Sequence, residues 1–206
     1  WVKSNLSIVG FRLQQELKGI SSIGLDTLKN KKSIATTRTF ENPTMDVGYI
    51  KERVSTFAVS CAEKLRKQRS ACSIMIIMLR SNFFRKDLKQ HSINKIVLLP
   101  YSTNSSLVLN SFAVNAVSEI FKEGIKYKKA GVIVSGLSAV NNSQLSIFNQ
   151  EDPKHPNLMS AIDKINFKYF DKIKLANQDL KIKWKMKQNF VSPQYTTKFD
   201  DIIKVI

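Results

Sequence analysis

The order of hydrophobic patterns predicts an α+β fold: a four-stranded sheet with two helices on one face, followed by a small α+β tail unit. Two amphipathic helical segments alternate with four strand-like segments, and their order is strand, helix, strand, strand, helix, strand. This βαββαβ order is that of a split βαβ arrangement. With both helices on one face, the other face of the sheet is left for water or a partner.

The two helices are predicted from apolar residues that recur at three- and four-residue spacing. The first helix spans residues 46–67, and its apolar face consists of Val47, Ile50, Val54, Phe57, Ala58, Cys61 and Leu65. The second begins after the capping residues 102–106 and runs to Lys122, with Gly124 as its end signal. Its apolar face consists of Leu109, Phe112, Ala113, Ala116, Val117, Ile120 and Phe121.

The four strands are predicted from β-branched and apolar runs that end at breaker residues. Residues 33–40 are rich in Thr and Ile, and we expect Asn42-Pro43-Thr44 to end that strand. Residues 73–79 form an unbroken apolar run, which is typical of a strand covered on both faces. Residues 95–99 form the third strand, which we expect Pro100 to stop, and residues 129–137 form the fourth.

The segments outside this unit are shorter and less regular. Residues 5–17 predict a helix closed by Gly19, and residues 30–32 read as a linker. After residue 157, a helical stripe of Leu158, Met159, Ile162 and Ile165 precedes two predicted strands at 173–176 and 181–186 and a final helix over 199–206. A unit of that size has a marginal core, so we expect it to pack on something else.

The charge of the chain favours a polyanionic partner. Lys and Arg number 33 against 16 Asp and Glu, a formal net charge of +17. Such an excess is most often found in proteins that bind nucleic acid. The alternative is a lysine-rich genome bias that places Lys on every exposed helix face.

Hydropathy, the first residues and the cysteines indicate the cellular environment of the protein. No apolar run is long enough to span a bilayer. Because the first residues form no signal-peptide pattern and lack an initiator Met, we expect a cytoplasmic protein of which this chain is one part. Cys61 and Cys72 are too far apart for a CxxC pair, and we expect two reduced, packed thiols.

A short peptide after the last predicted strand differs from a core segment. Gln144-Leu145-Ser146-Ile147-Phe148 places large apolar residues between two polar stretches. It resembles the Gln-Leu-x-Leu-Phe peptide by which bacterial DNA polymerases bind the replication sliding clamp. Gln144, Leu145, Ile147 and Phe148 are therefore the candidate clamp-binding residues. The alternative is that the three apolar side chains cover helices of this same chain.

Segments in two further regions resemble Y-family translesion DNA polymerases. The run Lys32-Ser-Ile-Ala-Thr-Thr-Arg-Thr-Phe40 is similar to the strand that opens their little-finger domain, with Ala35 in place of a usual glycine. Leu158-Met159, Trp184-Lys-Met-Lys187 and Ser192-Pro-Gln-Tyr-Thr-Thr197 are similar to the C-terminal tail of the UmuC-like (ImpB/MucB/SamB) branch. The resemblance covers nearly the whole chain.

The resemblance implies four regions. They are the end of a thumb domain at 1–31, a DNA-binding little finger at 32–140, a clamp-binding tether at 141–157 and a UmuC-type C-terminal domain at 158–206. The implied partners are primer-template DNA and the sliding clamp, with an UmuD-like subunit and RecA as possible partners of the tail.

The resemblance also implies which side chains contact DNA, chiefly its phosphates. These candidate DNA-binding residues are Lys32, Ser33, Thr36, Arg38, Thr39, Arg80, Lys95, Lys128 and Lys129. The alternative is that Ser and Thr are common strand residues and that the lysines solubilise an exposed face. Arg38 has the further alternative of pairing with a helix carboxylate such as Glu63.

The chain contains no candidate catalytic or metal-binding residues. Y-family catalysis needs palm carboxylates that hold two metal ions, and no Asp/Glu cluster here resembles them. We therefore expect no cofactor in this chain and Mg²⁺ only in a full polymerase. Two alternatives come from other classes: a stand-alone nucleic-acid-binding module, and a protein–protein scaffold whose sheet face binds an acidic partner.

Overall fold

The structure, a computed structural model, describes residues 1–22, 24, 30–140, 152–169, 172–180 and 190–202. Trp1–Lys31 form one compact unit and Lys32–Ile206 form another. In the first unit, helix α1 (Val2–Leu17) contains a non-helical residue, Ser7, and ends before Gly19, whose φ of 79° is typical of a helix C-terminus. The helix predicted over 5–17 is thus confirmed, with an earlier start.

The second unit contains the predicted α+β arrangement. Its elements in chain order are β1 (Ile34–Thr44), α2 (Val47–Lys67), β2 (Ser70–Ser81), β3 (Ser92–Thr103), α3 (Ser106–Ile120), β4 (Tyr127–Ala139) and α4 (His155–Tyr169), with a 3₁₀ turn at Phe199–Asp201. Asp46 caps α2, because its Oδ1 accepts hydrogen bonds from the backbone N–H of Gly48 (2.8 Å) and Tyr49 (3.2 Å).

The sheet has the order β1-β4-β2-β3, and all three neighbouring pairs are antiparallel. Helix α2 connects β1 to β2 across the intervening β4, and α3 connects β3 to β4 across β2. Each crossover is therefore a split βαβ unit. The predicted fold class is confirmed.

Two strands are longer than the sequence predicted, because proline does not end them. Strand β1 continues through Pro43 to Thr44, with a register irregularity after Thr39, and β3 continues through Pro100 to Thr103. The prediction that these prolines end the strands was wrong. Both strands are sheet edges, where a residue without an N–H group is tolerated.

The hydrophobic core lies between the sheet and helices α2 and α3. Its fully buried side chains include Ile50, Val54 and Leu65 of α2, Leu109 and Val117 of α3, and Met75, Ile77, Leu79, Val132 and Val134 of the two central strands. The burial of these strand residues identifies the side of the sheet that faces the helices.

The tail packs on this same helical layer. Met159 of α4 is buried, and the backbone N–H of Ser106 lies 3.3 Å from its sulfur. The Arg66 guanidinium of α2 makes two 2.6 Å hydrogen bonds to the Asp163 carboxylate of α4. Arg66 Nη1 also donates to the Asn104 carbonyl (2.7 Å), which ties α4 to the start of α3.

A second tail contact is more deeply buried. Arg53 Nη1 lies 2.7 Å from Asp179 Oδ2, and the two side chains are only 4% and 7% exposed. Asn177 Oδ1 accepts from Asn110 Nδ2 (2.7 Å) and from Ser55 Oγ (3.3 Å), so one amide bridges α2 and α3. The tail segment thus supplies the hydrogen-bond partners of polar groups on both helices.

The predicted strand at 173–176 is wrong. Residues 172–175 have no regular secondary structure, and a turn follows them. The Asn166 side-chain amide makes two hydrogen bonds to the backbone of Ile173: it accepts from Ile173 N (2.8 Å) and donates to Ile173 O (2.9 Å). These side-chain bonds replace a strand ladder. The partner strand predicted at 181–186 lies outside the described residues, and only the 3₁₀ turn is described where a final helix was predicted.

Candidate nucleic-acid interface

The face of the sheet opposite the helices can be assigned from strand register. Ile34 and Phe40 of β1 are buried toward the helices, so Ala35, Thr37 and Thr39 point to the opposite, open face. Within the unit Lys32–Ile206, no described element covers that face, since α2 and α3 pack on the other side of the sheet and α4 packs on those two helices.

One row of polar side chains crosses all four strands on the open face. In strand order it consists of Thr39, Lys129, Arg80 and Ser92, which are cross-strand neighbours. We call these four residues the basic row. Two cations flanked by two hydroxyl groups match the donors that proteins use for phosphate oxygens.

The chemistry of the open face changes along the strands. The next row toward the other end of the sheet is Thr37, Gly131, Met78 and Asn94, and the one after it is Ala35, Ile133, Ile76 and Ile96. Gly131 leaves room for its neighbours, because a Cβ atom there would lie 2.8 Å from Thr37 Cβ. The positive charge of the face is therefore concentrated at the end nearest the β2–β3 hairpin.

The structure brings three of the predicted DNA-binding residues together: Thr39, Arg80 and Lys129 share the basic row. Lys128 directly precedes Lys129 in β4, and its Nζ donates to the backbone carbonyl of Glu41 (2.7 Å). Lys32 and Ser33 are exposed directly before β1.

The other three predicted residues lie on the helix side of the sheet. Thr36 is buried and accepts from Lys64 Nζ (3.0 Å). Arg38 shares its side of β1, and Arg38 Nη1 donates to the Thr37 carbonyl (3.0 Å). Lys95 is paired in register with the buried Ile77 and forms a 2.7 Å ion pair with Glu119 of α3.

Sequence reasoning missed three residues of the open face. Ser92 belongs to the basic row, and Thr37 and Asn94 belong to the row next to it. The position of Thr37 could have been predicted from the sequence of β1, because the large apolar residues Ile34 and Phe40 indicate which side of the strand faces the core. Strict alternation then assigns Thr37 and Thr39, rather than Thr36 and Arg38, to the open face. Ser92 and Asn94 precede the strand predicted at 95–99, so that prediction assigned neither residue to a face of the sheet.

The β2–β3 hairpin adjoins the basic row and has its own ionisable groups. Hydrogen bonds from Arg85 hold the pKa of Asp87 at about 2, below its ordinary value. Burial, with a smaller contribution from Lys122, lowers the pKa of His91, whose Nδ1 lies 3.0 Å from the Tyr127 hydroxyl. His91 is therefore predominantly neutral at pH 7.

The two cysteines are buried and free of disulfide bonds. Burial raises the pKa of the Cys61 thiol and raises that of Cys72 to about 12. Both are thus protonated at pH 7, the state of an inert packing residue. Within the described ranges, no group of three or more His, Cys, Asp or Glu side chains is placed to hold a metal ion.

Two further findings concern the rest of the chain. The candidate clamp-binding residues Gln144, Leu145, Ile147 and Phe148 lie outside the described residues. Among the helices that the structure describes, none combines the length and apolarity that crossing a lipid bilayer requires.

Comparison with known proteins places this architecture in a family. Residues 31–147 match the model of the impB/mucB/samB family C-terminal domain. The chain belongs to this family. Residues 156–205 match a second model, described as a domain of unknown function (DUF4113). The resemblance inferred from residues 32–40 and from the tail motifs is confirmed.

Individual relatives align along almost the entire chain. It is 26% identical to Protein UmuC of Salmonella typhimurium, over 99% of the chain and 49% of the relative. It is 28% identical to Protein ImpB of Salmonella typhimurium and 26% identical to Protein MucB of Escherichia coli, in each case over 98% of the chain and 48% of the relative. The chain spans about half the length of the curated relatives it matches.

Proposed function

We propose that this chain is the DNA-binding and sliding-clamp-binding C-terminal portion of an error-prone, Y-family translesion DNA polymerase. Such a polymerase would act in the cytoplasm in DNA damage repair and SOS mutagenesis. The observation that carries the proposal is the basic row, Thr39, Lys129, Arg80 and Ser92, on a sheet face that no described element of its own unit covers. Family membership supports the same conclusion.

The chemistry of the open face suits binding without sequence readout. Contacts from Lys, Arg and hydroxyl groups to phosphate fix the position of a duplex but carry no base information. Such binding tolerates any template sequence, which an enzyme that copies damaged DNA requires. Affinity then comes chiefly from released counterions, so it falls steeply with salt.

In this proposal the chain positions DNA while catalysis occurs elsewhere. The two Mg²⁺ ions of polymerase chemistry need clustered carboxylates, and the described residues offer none in such an arrangement. In the proposed polymerase, by resemblance to the family, the metal ligands belong to a palm domain outside this chain. Holding the duplex raises the fraction of time that the primer end lies at that site.

The peptide with Gln144 and Phe148 would add a second attachment. A peptide of this kind docks through a few buried apolar anchors, here Ile147 and Phe148, with polar contacts at the pocket rim. Tethering to the clamp raises the local concentration of the polymerase on DNA, even when each contact is weak. An UmuD-like subunit and RecA are the proposed partners of the tail unit.

Salt-dependent binding to a primer-template duplex tests the DNA-binding part. The double variant Arg80→Ala/Lys129→Ala is compared with Lys164→Ala/Lys168→Ala, which removes two exposed lysines from α4. We expect the first variant to bind more weakly and to lower the salt slope by about 2, and the second to resemble the unaltered chain. Equal behaviour of the two variants would contradict the assignment of the open face.

Binding to a purified bacterial sliding clamp tests the tether. Phe148→Ala should abolish binding, whereas Phe190→Ala, which alters a side chain that is 99% exposed, should not. Retained binding after Phe148→Ala would show that the peptide is not the attachment point.

A further inference from the structure

A cavity of about 430 Å³ lies at the end of the basic row, beside the β2–β3 hairpin, and it is lined by Arg80, Ser81, Phe83, Gln90, His91 and Ser92. We propose that this cavity binds one unpaired nucleotide, with its base stacked on Phe83 and its phosphate on Arg80. The inference rests on the proposed function, since it concerns the same open face.

The aromatic wall of the cavity is exposed to an unusual degree. Phe83 and Phe84 are 83% and 92% exposed, and their ring centroids lie 6.4 Å apart in an edge-to-face arrangement. Two adjacent phenylalanines in water forgo the stabilisation that burial would give them. Because every nucleobase has a π-face, such a ring can stack on any base of an unpaired strand.

The backbone of the hairpin that carries these rings is braced by hydrogen bonds. Gln90 Nε2 lies within hydrogen-bond distance of three hairpin carbonyls, those of Arg85 (2.7 Å), Asn82 (3.1 Å) and Leu88 (3.1 Å). Gln90 Oε1 accepts from Ser81 Oγ (2.9 Å), which fixes the amide to the end of β2. A hairpin loop held by these hydrogen bonds loses less conformational entropy on ligand binding than an unrestrained loop would.

The polar wall supplies donors for a phosphate group. Arg80 is exposed and is the cross-strand neighbour of Ser92, and both residues line the cavity. A guanidinium binds phosphate oxygens in a bidentate manner. Arg85 of the same hairpin is committed to Asp87, at 2.6 and 2.8 Å, which leaves Arg80 as the arginine available at the cavity.

The occupant that fits both walls is a nucleotide. An apolar peptide would offer the Arg80 guanidinium no anionic partner, and a phosphate alone would not use the exposed ring. The source is either a nucleotide of a DNA strand or a free nucleotide. Continuity of the cavity with the basic row favours the strand.

Fluorescence of 2-aminopurine in a short single-stranded oligonucleotide, together with its dissociation constant, tests the proposal. We expect binding to quench the fluorescence and Phe83→Ala to weaken binding about tenfold and remove the quenching. Phe83→Tyr, which keeps a stacking ring, should restore both. Phe167→Ala on α4 is the matched control, since that ring is 88% exposed and lies on the helix side.

A titration with dAMP separates the two sources. Quenching with the strand but no saturable dAMP binding assigns the cavity to a nucleotide of the strand. Saturable, Phe83-dependent binding of dAMP assigns it to a free nucleotide. The proposal is overturned if Phe83→Ala and Phe167→Ala bind the oligonucleotide equally well. If duplex binding then keeps its dependence on Arg80 and Lys129, the cavity alone is rejected and the proposed function stands.

Discussion

The two sides of the sheet use positive charge in different ways. On the helix side, Arg53 and Arg66 are buried or partly buried, and each is paired with a carboxylate of the tail, Asp179 or Asp163. On the open side, Arg80 and Lys129 stand in a row of hydroxyl groups with no carboxylate in it. In a chain of net charge +17, the position and pairing of cations therefore identify an interface better than their number does.

The comparison also assigns a role to the described part of the tail. Because Asp163, Asn177 and Asp179 provide partners for groups on α2 and α3, this part of the tail acts as a cover for the helical layer. The described part of the tail lies on the helical layer and leaves the open face of its own unit uncovered.

The largest expected effect is the loss of the most buried pair. Asp179→Ala leaves the Arg53 guanidinium, 4% exposed as a side chain, without its counter-charge, and should lower the free energy of unfolding by about 3–5 kcal/mol. Urea denaturation in phosphate-free buffer measures the change.

A double variant provides the control for this effect. Arg53→Met/Asp179→Leu replaces the pair by apolar side chains, so it should recover most of the lost stability. If Asp179→Ala costs less than about 1 kcal/mol, the tail does not depend on this pair and its role as a cover is contradicted.

A smaller effect is expected for the second pair, because Asp163 is 34% exposed as a side chain and water partly replaces the lost bonds. Asp163→Asn should destabilise the chain by about 1 kcal/mol while leaving DNA affinity unchanged. Asp200→Asn changes an exposed carboxylate and should be neutral. A loss of DNA affinity in Asp163→Asn would show that the two sides are coupled.

The smallest effect is expected at Lys95, which the sequence grouped with the DNA-binding residues. Its ion pair with Glu119 is 41% and 58% exposed, so Lys95→Ala should cost less than about 1 kcal/mol in unfolding free energy. Because Lys95 faces the helices, duplex affinity should also stay within about twofold, whereas Lys129→Ala lowers it. If Lys95→Ala and Lys129→Ala lowered duplex affinity equally, the two faces of the sheet would not differ in DNA binding.

The sequence predicted the four-stranded sheet and its two helices because local periodicity is sufficient for them. The spacing of Ile50, Val54 and Leu65 along α2 reports the face that packs on the sheet, whatever that helix contacts. Edge strands were the exception, because a breaker residue such as Pro43 or Pro100 interrupts a ladder only when both sides of the strand are paired.

The site and the tail were harder to predict, for different reasons. Within the site, Thr36 and Thr39 are the same residue type in one strand, and only alternation separates the buried one from the exposed one. In the tail, Asn177 and Asp179 have the composition of a hairpin turn, whereas their partners on α2 and α3 are distant in sequence. Local patterns contain no information about such long-range pairs.

Lysine acetylation of the free and duplex-bound chain, read by mass spectrometry, tests the central claim most directly. The account predicts that a saturating primer-template duplex protects Lys129 on the open face while Lys164 on α4 reacts at the same rate with and without DNA. Protection of Lys164 with Lys129 still reactive would place DNA on the helix side and contradict the account.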